Sequence, residues 1–218
     1  MSHKSLPPPA WPISFRATCL RATLYILLVA GLAQGVFYEA LHFPDSRFSE
    51  LSFTELTQTT LLALAAALLL YSRLVIRILP NISLLMFGFL LASLIREQDA
   101  LLDAYVFDGA WQLMVSLTVL PILFMTLRHR QHFVDEFAAY ANSFSFGLFA
   151  AGFLTTYVFS RLYGRGDFWE AVLQENYVRD FKSGAEEVVE LFGYALLLIA
   201  VIEFVLLARR WALARQDG

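Results

Sequence analysis

Six long apolar runs, near 22–38, 53–74, 82–102, 110–127, 142–162 and 187–207, constrain this chain more than any other feature. Each is roughly 20 residues, enough to cross about 30 Å of hydrocarbon at about 1.5 Å per helical residue. Inside a bilayer the backbone must satisfy its own N–H and C=O groups, and these runs are too long for barrel strands, so each is expected to be helical. The expected fold class is all-α, a polytopic membrane protein with six transmembrane helices. Composition argues against a soluble alternative. Apolar residues make up 58% of the chain and charged residues only 16%, too little polar surface to cover a globule of 218 residues.

The organisation that follows is a tail at 1–15, a six-helix bundle at 16–208 and a second tail at 209–218. The first tail holds Lys4 and the Pro7, Pro8, Pro9 run and has no period. The first apolar run could also be a secretory signal cleaved after Ala33, but its continuation through Val36, Phe37 and Tyr38 favours an anchored span. Cys19 is the only cysteine, which excludes an internal disulfide and any cysteine-based metal site.

Loop charge sets the expected orientation. In a six-span arrangement Lys4, Arg16, Arg21, Arg73, Arg77, Arg128, Arg130, Arg209, Arg210 and Arg215 share one side, ten of the sixteen basic residues. The other side takes Arg47, Arg96, Arg161, Arg165, Arg179 and Lys182 together with fifteen of the nineteen acids. The positive-inside rule then gives a multi-pass protein of a bacterial-type inner membrane with both termini cytoplasmic.

Two connections carry a pattern of their own. Across 167–181 the residues Phe168, Trp169, Val172, Leu173, Tyr177 and Phe181 recur at helical spacing, with charged residues between them. This is expected to be an amphipathic surface helix in the last outer loop. On the inner side Phe133, Phe137, Tyr140 and Phe144 recur at i, i+4, i+7 and i+11, so the fifth helix is expected to start in the cytoplasm. Gly147, Gly152 and Gly193 read as close helix contacts.

Ionisable groups gather at one depth, the outer leaflet. Arg96, Glu97, Asp99 and Asp103 close the third run, with Arg96, Asp99 and Asp103 on one face if that run stays helical. Glu55 enters with the second, and Glu186, Glu187 and Glu190 open the sixth. Gln34, Glu39 and His42 leave the first at the same level. Such groups are expensive in a membrane and mark candidate sites. The bland reading is trim: acids at a helix N-terminus, where the dipole favours them, and an ion pair for Arg96. The sharper reading is a pocket, in which carboxylates from several helices would suit a divalent cation as cofactor. The arginine fits a bare cation poorly and fits better as the anchor of a carboxylate or phosphate. Glu203, near the inner end of the sixth run, is expected to pair with Arg209, Arg210 or a loop arginine, with a proton relay as the alternative. His129 and His132 fit a solvated basic loop better than a metal site.

Gly-rich phosphate loops, zinc-protease helices, nucleophile elbows and nucleic-acid patches are absent from the sequence. The expected function is binding or translocation of a small polar or cationic species at an outward-facing Arg/carboxylate site. An accessory subunit of a membrane complex and a metal-dependent enzyme acting on a lipid headgroup are the alternatives. Expected partners are the lipid bilayer and either another membrane protein or a second copy of the chain.

Overall fold

The computed structural model describes residues 14–42 and 52–216. Most of the tail expected at 1–15, including Lys4 and the proline run, lies outside the described residues, as do Arg47 and Asp217. The protein is all-helical, with 91% helix and no strands among the described residues.

The helices are α1 (Phe15–His42), α2 (Phe53–Tyr71), α3 (Pro80–Arg96), α4 (Asp99–Tyr105) and α5 (Ala110–Arg128), followed by α6 (Arg130–Ala141), α7 (Phe144–Phe153), α8 (Ser160–Tyr163), α9 (Gly166–Leu173) and α10 (Arg179–Gln216). Short π-helical turns at Ser72–Ile76 and Leu154–Phe159 extend α2 and join α7 to α8. Four helices, α1, α2 with its π turn, α5 and α10, are long and apolar enough to cross a membrane. Two bent pairs would bring the number to six if each is one span: α3 with α4, bent by 60°, and α6 with the helix at 144–163, bent by 96°.

Local chemistry explains where the helices start. Ser52 caps α2, its Oγ accepting from the Glu55 N–H at 3.2 Å. Pro80 opens α3, where a missing N–H costs nothing. The two N–H groups that follow, of Asn81 and Ile82, donate to the Glu136 carboxylate of α6 at 2.8 and 3.0 Å. Ser143 caps α7 by accepting from the Phe146 N–H at 3.1 Å.

The core forms around α10, whose apolar window is 78% buried against 11% for α1 and 17% for α5. Tyr194, Leu197, Val201, Phe204 and Ala208 of α10 pack on Leu62, Leu69, Leu79 and Leu90 of α2, α3 and the turn between them. Helix α7 lies closest to α10 where two glycines meet. A Cβ on Gly193 would fall 1.9 Å from Thr156 Oγ1, and one on Gly152 would fall 2.9 Å from Leu197 Cγ. Small residues allow this approach, as van der Waals contact between membrane helices requires. Gly147, also expected at a helix contact, has nothing within 4 Å of its Cβ position.

Chain direction can be read from paired ends. Arg21 of α1 meets Glu203 of α10, whereas Glu39, near the other end of α1, meets Thr54 of α2. Gln58 of α2 bonds Glu187 of α10, and Tyr71 of α2 bonds Arg209 of α10. Hence α2 and α10 run parallel and α1 runs against both, so the described N- and C-terminal ends lie at the same end of the bundle.

Three expectations need correction. The run at 82–102 is not one helix: it breaks at Glu97 and Gln98. The stripe from Phe133 to Phe144 does not continue straight, because the chain bends by 96° at Asn142 and Ser143, between α6 and the helix that follows. The segment 167–181 is not one surface helix. Helix α9 stops at Leu173, Gln174 turns the chain at a φ of +51°, and Phe181 already belongs to α10. Its apolar face is nonetheless used, as Trp169 packs edge-on against Phe181 at 4.8 Å and donates its indole N–H to the Tyr163 carbonyl at 2.8 Å.

Candidate functional site

At the end of the bundle where α3 breaks, a polar cavity of about 170 Å³ is lined by Glu55, Arg96, Glu97, Asp99, Arg161, Glu187 and Glu190. Four parts of the chain contribute. The N-cap of α2 places Glu55 in its first turn, and the last turn of α3 and its break present Arg96, Glu97 and Asp99. The short helix α8 supplies Arg161, and the first third of α10 supplies Glu187 and Glu190.

Glu97 and Glu190 sit deep and the guanidiniums reach outward. Glu97 and Glu190 side chains are 7% and 4% exposed, those of Arg96 and Arg161 36% and 42%. Glu97 Oε1 accepts from Tyr194 Oη at 2.7 Å and from Arg96 Nη2 at 3.1 Å. Glu190 Oε1 takes Arg161 Nη2 at 2.6 Å and the Ser160 hydroxyl at 3.2 Å, while its Oε2 faces Arg96 Nη2 at 4.0 Å. Glu187 is held differently: the neutral amide of Gln58 donates to its Oε2 at 3.0 Å and to its carbonyl at 3.1 Å. Gln58 is itself fully buried, and its Oε1 has no hydrogen-bond partner among the described residues.

Six of the eight residues singled out from sequence line this cavity: Glu55, Arg96, Glu97, Asp99, Glu187 and Glu190. Glu186 stands beside it, bridged to Arg161 Nη1 and Lys182 Nζ at 2.8 Å each. The i, i+4 pair Glu186 and Glu190 therefore grips one guanidinium from both sides instead of offering itself to an ion. Asp103 is elsewhere. The 60° bend removes the face it was expected to share with Arg96, and its Oδ1 accepts the Gly109 N–H at 3.0 Å in the turn before α5. Glu39 is buried as an acceptor for the backbone and hydroxyl of Thr54, and His42 stacks on Tyr38 at 4.1 Å. Among the described residues no group of three or more histidine, cysteine or acidic side chains has the arrangement to hold a metal ion.

Sequence reasoning missed Arg161, Tyr194 and Ser160 as parts of the site. The spacing held a signal for one of them: Tyr194 follows Glu190 by four residues and so shares its helix face. Below the cavity a further polar pair, Ser93 Oγ and Tyr157 Oη at 2.5 Å, joins α3 to the π-helical turn. Near the far end Glu203 makes an ion pair with an arginine, as expected, but of the candidates it is Arg21 that pairs, through Nη1 at 2.9 Å, and not Arg209 or Arg210; Glu203 also accepts from Tyr25 Oη at 2.7 Å. Arg209 instead bonds and overlies Tyr71.

The described chain is thus an all-helical protein with several membrane-length apolar helices and a charged cavity at one end. No family model matches it, and neither a curated protein nor a solved structure matches it.

Proposed function

We propose that the chain is a six-span protein of a bacterial-type inner membrane, both termini cytoplasmic, that binds or translocates a small polar or cationic species in the Arg/carboxylate cavity. The observation that carries this reading is the charge of the lining, five carboxylates against two guanidiniums in one cavity of about 170 Å³. An excess of acid favours a positive group, and the withdrawal of Glu97 and Glu190 from solvent strengthens that preference. The broken third helix supports the same reading. Irregular backbone at membrane depth is tolerated where it lines a polar cavity, and transporters use such interrupted helices for their sites.

Reconstitution provides the test. Ethylamine binding to the purified chain is expected to weaken strongly in Glu187→Gln and Glu97→Gln while both variants still accumulate in the membrane. Undiminished binding in both variants would remove the site. If the wild-type protein takes up no small cation at all, a role as accessory subunit of a membrane complex takes precedence.

A further inference from the structure

The two arginines of the cavity are in unequal states. Arg161 spends both Nη groups on Glu186 and Glu190. Arg96 meets Glu97 and Glu190 through Nη2, at 3.1 and 4.0 Å, and also hydrogen-bonds the Tyr194 side chain, which leaves part of its donor set uncommitted among the described residues. A guanidinium offers five N–H donors in a planar fork suited to a carboxylate or phosphate. On the acceptor side, Asp99 receives, among the described residues, only the backbone N–H of Ala100 at the start of its own helix. Glu187 faces the cavity with a neutral amide as its hydrogen-bond partner, and behind it lies the unsatisfied Oε1 of Gln58. Unused donors and unused acceptors therefore border the same small space.

A ligand of one sign fits this poorly. A simple cation would satisfy the acids and confront Arg96, whereas a simple anion would satisfy Arg96 and confront five carboxylates. Either mismatch costs more here than in water, because Glu97 and Glu190 are largely withdrawn from solvent. We infer that the cavity takes a zwitterion, with its ammonium toward Glu187 and Asp99 and its carboxylate or phosphate on the open edge of Arg96. The inference rests on the reading of this cavity as the ligand site and narrows its ligand class. At about 30 Å³ per water the space holds roughly six waters, a volume suited to a small amino acid or a phosphoethanolamine group. The second of these occurs free or as the headgroup of a lipid.

Calorimetric titration of the full chain in nanodiscs with β-alanine, phosphoethanolamine, ethylamine and propionate tests it. Ethylamine and propionate each carry one half of β-alanine. At least one zwitterion is expected to bind about tenfold or more tighter than either half, the worth of one added charge-assisted contact. Arg96→Gln should collapse that ratio toward one. The ratio is read within one protein, so a general loss of binding is not mistaken for the effect. Should Arg96→Gln fail to fold, the wild-type series alone decides. If ethylamine or propionate binds as tightly as both zwitterions, this inference falls, and with ethylamine the cation-site reading stands. Failure of all four probes removes both. Phosphatidylethanolamine discs, compared with phosphatidylcholine discs, distinguish the source. Competition by the former alone identifies the lipid headgroup, and equal affinity in both identifies a free zwitterion.

Discussion

Glu190 shows how one carboxylate can organise a site. It is 3% exposed, yet its two oxygens reach Arg161, Ser160 and, more loosely, Arg96. Replacing it with glutamine removes the charge that both guanidiniums face and leaves Arg161 with Glu186 and Arg96 with Glu97 as their remaining ion pairs. Glu190→Gln is expected to lower stability by about 2 kcal/mol, the scale of a hydrogen bond to a charged group. Asp99→Asn, at an exposed position, should stay within about 0.5 kcal/mol. Unfolding of the two variants in detergent micelles, followed by circular dichroism, separates these outcomes. An equal loss in both would mean that Glu190 is less committed than its geometry indicates. Sequence alone showed that acids and arginines crowd one depth of the membrane, because depth follows from hydropathy and loop charge. It did not show that Arg161 closes the ring, since the ion pair to Glu190 spans 29 residues and depends on how α8 sits against α10.

Among the elements, α7 and α10 are held together by absent side chains. Gly193→Ala would drive a methyl group onto Thr156 Oγ1 and should cost about 1–3 kcal/mol, as overpacking does. Gly147→Ala meets open space and is expected to be neutral or to stabilise the helix by up to about 1 kcal/mol. Thermal melts of the two variants should move in different directions. The contrast also explains why sequence reading succeeded for two of the three glycines. Spacing marks small residues as candidates for contact, but only the rotation of α7 decides which of them face a neighbour. The cap of α7 is a separate determinant. Ser143→Ala removes the acceptor for the Phe146 N–H at the 96° turn and should cost about 1 kcal/mol. That turn was not legible from the aromatic stripe. A helical period persists through 133–144, and the long-range contact in which Glu136 caps α3 is not written in that period.

For the whole molecule, the paired ends make a prediction about sidedness. In a Cys19→Ser background, single cysteines at Ser14 and Arg215 should react with a membrane-impermeant maleimide from one side of the membrane and a cysteine at Asp108 from the other. Labelling of positions 14 and 215 from opposite sides would be incompatible with the described antiparallel run of α1 and α10. That the chain carries several membrane-length apolar helices was readable directly, because a bilayer imposes a fixed length on each. Their breaks were not, because a kink changes the path of a segment and leaves its hydropathy intact.

Helix α10 runs unbroken for 38 residues, about 57 Å at about 1.5 Å each, well beyond the hydrocarbon thickness. Glu190 and Glu203 lie 13 residues apart on it, and at about 100° per residue they project about 220° from one another, nearly on opposite sides. One is clasped by Arg161, the other by Arg21. The central helix is thereby a spindle with bearings on opposite flanks. It cannot twist about its own axis without loosening both grips, so torsion at one surface of the bundle is felt at the other.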